Sequence, residues 1–285
     1  MDGDCADVDP VSLNRAYWDA LAAVHGRGVD RYYDLDGLLA GGSSMLDVEE
    51  AAVREAVGEV DGLDLLHVQC HIGFDTVTLA RRGARVTGVD LSPISLERTG
   101  AIARQCGVQV GLVEADATRL PVDLHDRFDL AYATIGVICW IGDLQAWMRS
   151  VAACLRPGGS LVLVDIHPLY QMVEGVSPVT FDWPYAFDGP RVEDAQGSYA
   201  APDARLAASV SVAYAHSLGE VVTAACRARL TVRSLHEHLD AQADPRGELL
   251  TRGGDGRYRL MLGSHPGPVM FTPPGGPEAC QGKDL

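Results

Sequence analysis

Residues 63–90 read LDLLHVQCHIGFDTVTLARRGARVTGVD. The stretch opens on a short apolar run and turns through Gln69-Cys70-His71-Ile72-Gly73. It carries a helical pattern from about Asp75 to Arg82 and closes on a second apolar run that ends in Asp90. Strand, turn, helix and strand in that order form a βαβ unit, whose crossover makes the two strands parallel. The same alternation continues C-terminally. Strand-like runs VQVGLVEAD (108–116), FDLAYAT (128–134) and SLVLVDIH (160–167) are separated by helical patterns around Pro93 to Cys106 and Asp143 to Leu155. Such a series predicts a doubly wound α/β domain with helices on both faces of the sheet.

Working outward toward the N-terminus, Asp9 and Pro10 form a helix start, with Leu13, Ala16, Tyr17, Ala20, Leu21 and Val24 at helical spacing behind them. A second helical stretch runs from about Leu46 to Val60, so two helices precede the first strand. Residues 1–10 are acidic and poor in apolar side chains, which predicts a flexible tail. Residues 11–62 then form a helical cap on a domain spanning 11–272.

Beyond Pro168 the alternation stops, and residues 168–210 form an insert rich in Pro, Gly, Asp and aromatics. An ordered loop of that length usually carries function. A strand ASVSVAYA follows, then a capping box of Ser217 and Glu220 ahead of an apolar helix face. TVRSLHEH and GPVMFT read as the last two strands, with RGGDGRY in the loop between them. Residues 273–285 read as a loose tail.

The chain has 285 residues, 39 acidic and 23 basic, giving a formal charge of −16. That field repels phosphate backbones and anionic membranes, so neither nucleic acid nor membrane is an expected partner. No apolar run is long enough to cross a bilayer, and the acidic start differs from a signal peptide, so a cytoplasmic protein is expected. Seven scattered cysteines without a CxxC pair favour neither a disulfide framework nor a zinc site. His236 and His238 alternate on one strand but lack a third ligand, so no metal is expected.

In an open parallel sheet, ligands bind beyond the carboxyl ends of the strands. At the first such end, Gln69 and His71 stand where a dinucleotide loop would carry glycines, leaving only Gly73, which disfavours NAD. Asp90 lies 21 residues beyond Gln69, the offset at which a carboxylate accepts the hydroxyls of an adenosine ribose. Asp116 adds a second carboxylate at the next strand end, suited to the exocyclic amine of adenine. Each is equally explained alone as a solvated turn; the repetition is what points to adenosine.

Taken together, LLHVQCHIGFDT (65–76), VTGVDLSP (86–93), EADA (114–117), FDLAYATIGVICW (128–140) and LRPGGSLVLVD (155–165) resemble the class I S-adenosylmethionine-dependent methyltransferases. Within them, the chain is similar to the bacterial small-molecule type with an LHxQCHxGxDT first motif. It departs from the wider class in having His67 for the usual acid, and Gln69 and His71 for glycines. The resemblance implies a Rossmann-like seven-stranded sheet in the order 3-2-1-4-5-7-6, with strand 7 antiparallel. It also implies S-adenosyl-L-methionine as cofactor. Gln69, His71 and Gly73 would line its methionine and ribose side, Asp90 would hold the ribose hydroxyls, and Leu91, Asp116 and Ala117 would surround adenine. Ala133 and Thr134 would meet the methionine ammonium, with Ile135 and Gly136 beside the sulfonium. Tyr17, Trp18 and Tyr33 would close over the cofactor, or else serve only in helix packing.

The reaction so implied is methyl transfer to oxygen or nitrogen of a small molecule, a specialised metabolite. A protein of the same fold that binds the cofactor for a non-methylating reaction, or as a binding module, is the alternative. His167, just past the fifth strand, is either a general base or a turn residue; Asp165 reads as structural. Trp140, Tyr170, Trp183 and His216 are the candidate substrate residues. The aromatic insert is a lid, a loop anchor or the contact of a homodimer.

Overall fold

The structure is a computed structural model that describes residues 9–27, 32–195, 197–244, 249–273 and 275–277. The expected N-terminal tail lies, apart from Asp9 and Pro10, outside the described residues. Asp9 caps helix α1 (Pro10–Val24), its carboxylate accepting the N–H groups of Val11 and Ser12 at 3.2 Å. With Pro10 fixing φ at the first helical position, the helix start is the one that the sequence spells. A short α2 (Leu35–Leu39) that the sequence does not announce precedes α3 (Asp47–Val57).

Five parallel strands form the core: β1 (Asp64–Val68), β2 (Arg85–Asp90), β3 (Gly111–Glu114), β4 (Phe128–Thr134) and β5 (Leu155–Ile166). They are joined through α4 (Phe74–Arg81), α5 (Pro93–Gln105) and α6 (Leu144–Cys154). Leu65, Leu66 and Val68 of β1 have no exposed surface. Each such side chain contributes about 1.5–3 kcal/mol by leaving water. One face of the sheet packs Trp147, Met148 and Val151 of α6; the other packs Val48, Ala52 and Val53 of α3.

Past β5 come α7 (Pro168–Met172), the hairpin β6 (Val173–Val176) and β7 (Val179–Phe181), and the pair β8 (Arg191–Asp194) and β9 (Val210–Ala213). The insert therefore folds into short ribbons. Asn14 of α1 docks one of them: its amide donates to Val212 O and accepts from Val212 N, both at 2.8 Å. After α8 (Leu218–Arg227), capped by Ser217 and Glu220 as expected, come β10 (Leu230–Val232) and β11 (His236–His238).

The segment read as a loop between the last strands is a meander of β12 (Thr251–Arg252), β13 (Tyr258–Leu262) and β14 (His265–Gly267). RGGDGRY forms its first turn. β15 (Met270–Thr272) and β16 (Gly275–Pro277) then run antiparallel to β5 and to β11 and β10. The sheet order is β3-β2-β1-β4-β5, then β15/β16, then β11/β10, the expected 3-2-1-4-5-7-6 with strands 6 and 7 each interrupted. Part of the expected C-terminal tail is corrected: residues 275–277 pair between β5 and β10. A Cβ at Gly276 would lie 2.3 Å from Gly159 O, so the backbones approach only because no side chain intervenes. Residues 278–285 lie outside the described ones.

Register fixes where the strand ends meet. Val68 pairs with Val89, Asp90 with Glu114, His67 with Tyr132, and Thr134 with Val164. The tips of β1 to β5 thus open side by side.

Candidate active-site crevice

A cavity of about 620 Å3 lies over those tips. Its floor begins with the turn after β1. Gln69 and His71 adopt left-handed backbone with φ of 58° and 48°, conformations that cost non-glycine residues roughly 1–2 kcal/mol. Their side chains show what holds them there. Gln69 donates to Val137 O at 3.1 Å and accepts from Trp147 Nε1 at 2.8 Å, tying β1 to β4 and α6. His71 lies 2.8 Å from His25 Nδ1 and 3.2 Å from Ser95 Oγ, with its ring edge-on to Trp18. Burial, with His25 and Arg98 nearby, depresses its basicity far below the ordinary histidine range. Gly73, with φ of 73°, has Thr99 so close that a Cβ would come within 2.2 Å of it.

Asp90 accepts the N–H groups of His71 and Ser92, each at 2.8 Å. Burial outweighs those bonds and raises its carboxyl to about 6. Each oxygen keeps a lone pair for a ligand hydroxyl. Asp116 caps the next turn through the N–H of Thr118 at 2.8 Å and pairs with Arg119. Leu91 and Ala117 line the cavity beside these acids, and Thr134, Ile135 and Gly136 line it at the tip of β4. Asp165 shapes that last segment by accepting the N–H groups of Gly136, Val137 and Ile138 at 2.5–3.1 Å, a structural role as expected.

Over the crevice, Trp18 and Trp140 pack edge to face at 5.3 Å, and the hydroxyls of Tyr33 and Tyr199 meet at 2.6 Å. His25 also contacts Ser198 at 2.5 Å, joining the N-terminal cap to the insert. Trp18, Tyr33 and Trp140 line the cavity wall.

Six expected site residues do not line this cavity. Tyr17 is buried beneath Trp18 and Trp140, and Ala133 lies inside the sheet. Tyr170 is fully buried, its hydroxyl donating to Asp244 at 2.7 Å. Trp183 packs under the guanidinium of Arg191. His216 donates Nε2–H to Ile141 O at 2.7 Å and borders a separate cavity of about 470 Å3 with Phe187 and Glu220. His167 caps α7. Its Nδ1 accepts the Leu169 N–H at 3.0 Å, so Nε2 carries the proton and donates it to Glu237 at 2.9 Å. With both ring nitrogens committed, His167 has no lone pair for a substrate proton, and the general-base expectation is corrected.

The structure adds two wall residues that the sequence reading passed over. Glu49 of α3 and Asp75 of α4 come together beneath Thr134. Asp75 lay within the first motif without a role; Glu49 sits among Asp47, Glu50, Arg54 and Glu55, where it reads as one more solvated helix charge.

Residues 65–159 match the family described as "Methyltransferase domain". A ubiquinone biosynthesis O-methyltransferase of Methylobacterium sp. (strain 4-46) is 36% identical over 106 residues, 37% of this chain and 42% of that protein. The chain thus spans less than half of that relative. The crystal structure of an S-adenosylmethionine dependent methyltransferase from Mesorhizobium loti superposes with a TM-score of 0.57 at 24% identity, over 83% of this chain and 99% of that one. The [4+2]-cyclase SpnF superposes with a TM-score of 0.53 at 18% identity, over 83% and 77%. The fold is that of the class I S-adenosylmethionine-dependent methyltransferases, and S-adenosylmethionine is the cofactor of this class.

Among the described residues no helix is long and apolar enough to cross a membrane, and no group of three or more metal-ligating side chains converges.

Proposed function

We propose that the chain transfers a methyl group from S-adenosylmethionine to oxygen or nitrogen of a small molecule of specialised metabolism. The observation that carries this reading is the placement of Asp90 and Asp116 on neighbouring strand tips of one deep crevice, beside a turn compact enough to require Gly73. When bound, the cofactor supplies an electrophilic methyl group on a sulfonium.

Everything else falls to the chain. Asp90 would accept the ribose hydroxyls and Asp116 the adenine amine, with Leu91 and Ala117 against the ring. Gln69 and His71 shape the turn around the ribose and amino-acid side, while Ile135 and Gly136 border the reacting centre. Trp18, Tyr33 and Trp140 exclude water, which favours attack on the methyl carbon by the acceptor over attack by water. Among lining residues there is no Lys or Arg and there are five carboxylates, an environment that favours a sulfonium over an anion.

The test is titration with S-adenosylhomocysteine and with NAD, followed by incubation of the labelled donor with a panel of phenols and amines. Binding of S-adenosylhomocysteine and not of NAD, with methyl transfer to a panel member, is expected. Binding without transfer to any acceptor favours the second reading, a non-methylating protein, which the fold shared with a cyclase brings forward.

A further inference from the structure

The crevice gathers two sets of carboxylates. Asp90 and Asp116 line it at the tips of β2 and β3, and Thr134, Glu49 and Asp75 line it as well, together with apolar side chains that include Leu46, Ile166 and Met270. Glu49 is only 3% exposed, and its Oε2 accepts the Leu46 N–H at 2.6 Å. Asp75 accepts the Ser44 hydroxyl at 2.5 Å, Tyr132 at 3.2 Å and Thr134 at 3.4 Å. A backbone N–H and neutral hydroxyls are the donors the pair has. Among the described residues neither carboxylate forms an ion pair, although Glu50, next along α3, pairs with Arg82.

His67, the third polar group here, is no counter-ion. It is 3% exposed, burial drives its basicity down to about 3, and its Nδ1 meets Thr76 at 2.8 Å. Its Nε2 has no hydrogen-bond partner among the described residues, although the ring is on the cavity wall.

Two carboxylates withdrawn from water beside one another, without a cation, are costly. Burial accordingly raises the affinity of both for protons. Among the described residues no third metal ligand joins them, and the lining offers no Lys or Arg. An organic cation entering the cavity would compensate the pair in place of those protons. We propose that Glu49 and Asp75 form a seat for a primary ammonium group of a bound ligand. A primary ammonium presents three N–H donors on a compact charge, enough to reach both carboxylates and a further acceptor. This inference rests on the crevice being the cofactor site. The ammonium has two possible sources of identical chemistry: the amino-acid end of the cofactor, or an amine on the methyl acceptor.

Calorimetric titration of the wild-type protein, Glu49→Gln and Asp75→Asn separates them, with circular dichroism confirming each fold. The probes are S-adenosylhomocysteine, 5′-methylthioadenosine, which lacks the amino-acid end, and phenethylamine added to protein saturated with S-adenosylhomocysteine. If the seat holds the cofactor, both variants bind S-adenosylhomocysteine at least tenfold more weakly and 5′-methylthioadenosine as the wild type does. If it holds the acceptor, S-adenosylhomocysteine is bound equally by all three and phenethylamine only by the wild type. Equal behaviour of all three proteins toward every probe overturns the seat while leaving the cofactor reading intact. A wild-type protein that binds neither nucleoside overturns both.

Discussion

At the scale of single residues, Asp90 is the sharpest handle on the crevice. Its side chain also receives the N–H groups of His71 and Ser92, so Asp90→Asn, which keeps the shape, is a cleaner variant than Asp90→Ala. Loss of the charged acceptor should weaken S-adenosylhomocysteine binding by about 1.5–3 kcal/mol, read by calorimetry. His167→Ala should behave oppositely. It removes a helix cap worth about 1 kcal/mol and leaves cofactor affinity unchanged, because neither ring nitrogen is free to reach the crevice. Gly73→Ala must accept both φ of 73° and a 2.2 Å approach to Thr99. We expect a loss of about 3 kcal/mol in urea unfolding, with cofactor affinity falling as the turn widens. Asp90, Asp116 and Gly73 were legible because strand-end position alone locates them. Glu49 was not, because a helix charge declares its burial only when α3 has been laid against the sheet. His167 misled because a histidine one residue past a strand reads identically whether it faces the ligand or caps the next helix.

Secondary-structure elements divide along the same line. Helices with a side-chain start signal, α1 at Asp9-Pro10 and α8 at Ser217-Glu220, begin where the sequence says, since a cap is a local interaction. The β12–β14 meander was hidden because glycine-rich RGGDGRY reads as loop, and β16 because its pairing with β5 and β10 is non-local and Gly275-Gly276 reads as loop. In each, glycine permits a tight turn or close strand approach. The insert is held to the N-terminal cap chiefly by polar contacts: Asn14 on Val212, His25 against Ser198, Tyr33 against Tyr199. Asn14→Ala would leave the Val212 N–H and C=O, on a residue 2% exposed, without their partner. The expected cost is about 3 kcal/mol in thermal unfolding. Proteolysis should then cut the insert before the sheet, because α1 is what pins β9.

For the whole molecule, the crevice and the stability are coupled through protons. Burial of the wall carboxylates makes the folded state bind protons more tightly than the unfolded chain. Asp90 is raised to about 6, and Glu49, chiefly through desolvation and then through Asp75, to about 8. A raised carboxyl contributes stability at low pH that is lost as pH rises through its folded value. The buried histidines His67, His71, His167 and His216 act in the opposite sense. Their lowered values mean that stability falls as pH drops below the ordinary histidine range. The two effects oppose one another in mildly acidic solution, but between about pH 6.5 and 8 the carboxyl effect acts with little opposition. The ligand-free protein should therefore lose melting temperature across that window. Glu49→Gln removes the titrating group while keeping its volume and its contact to the Leu46 N–H. Its melting temperature should change less over the same interval and should exceed that of the wild type by several degrees at pH 8, which for a chain of this size corresponds to about 1–2 kcal/mol. A parallel pair of melting curves, with the wild type declining as steeply as the variant, would place the titrating group elsewhere.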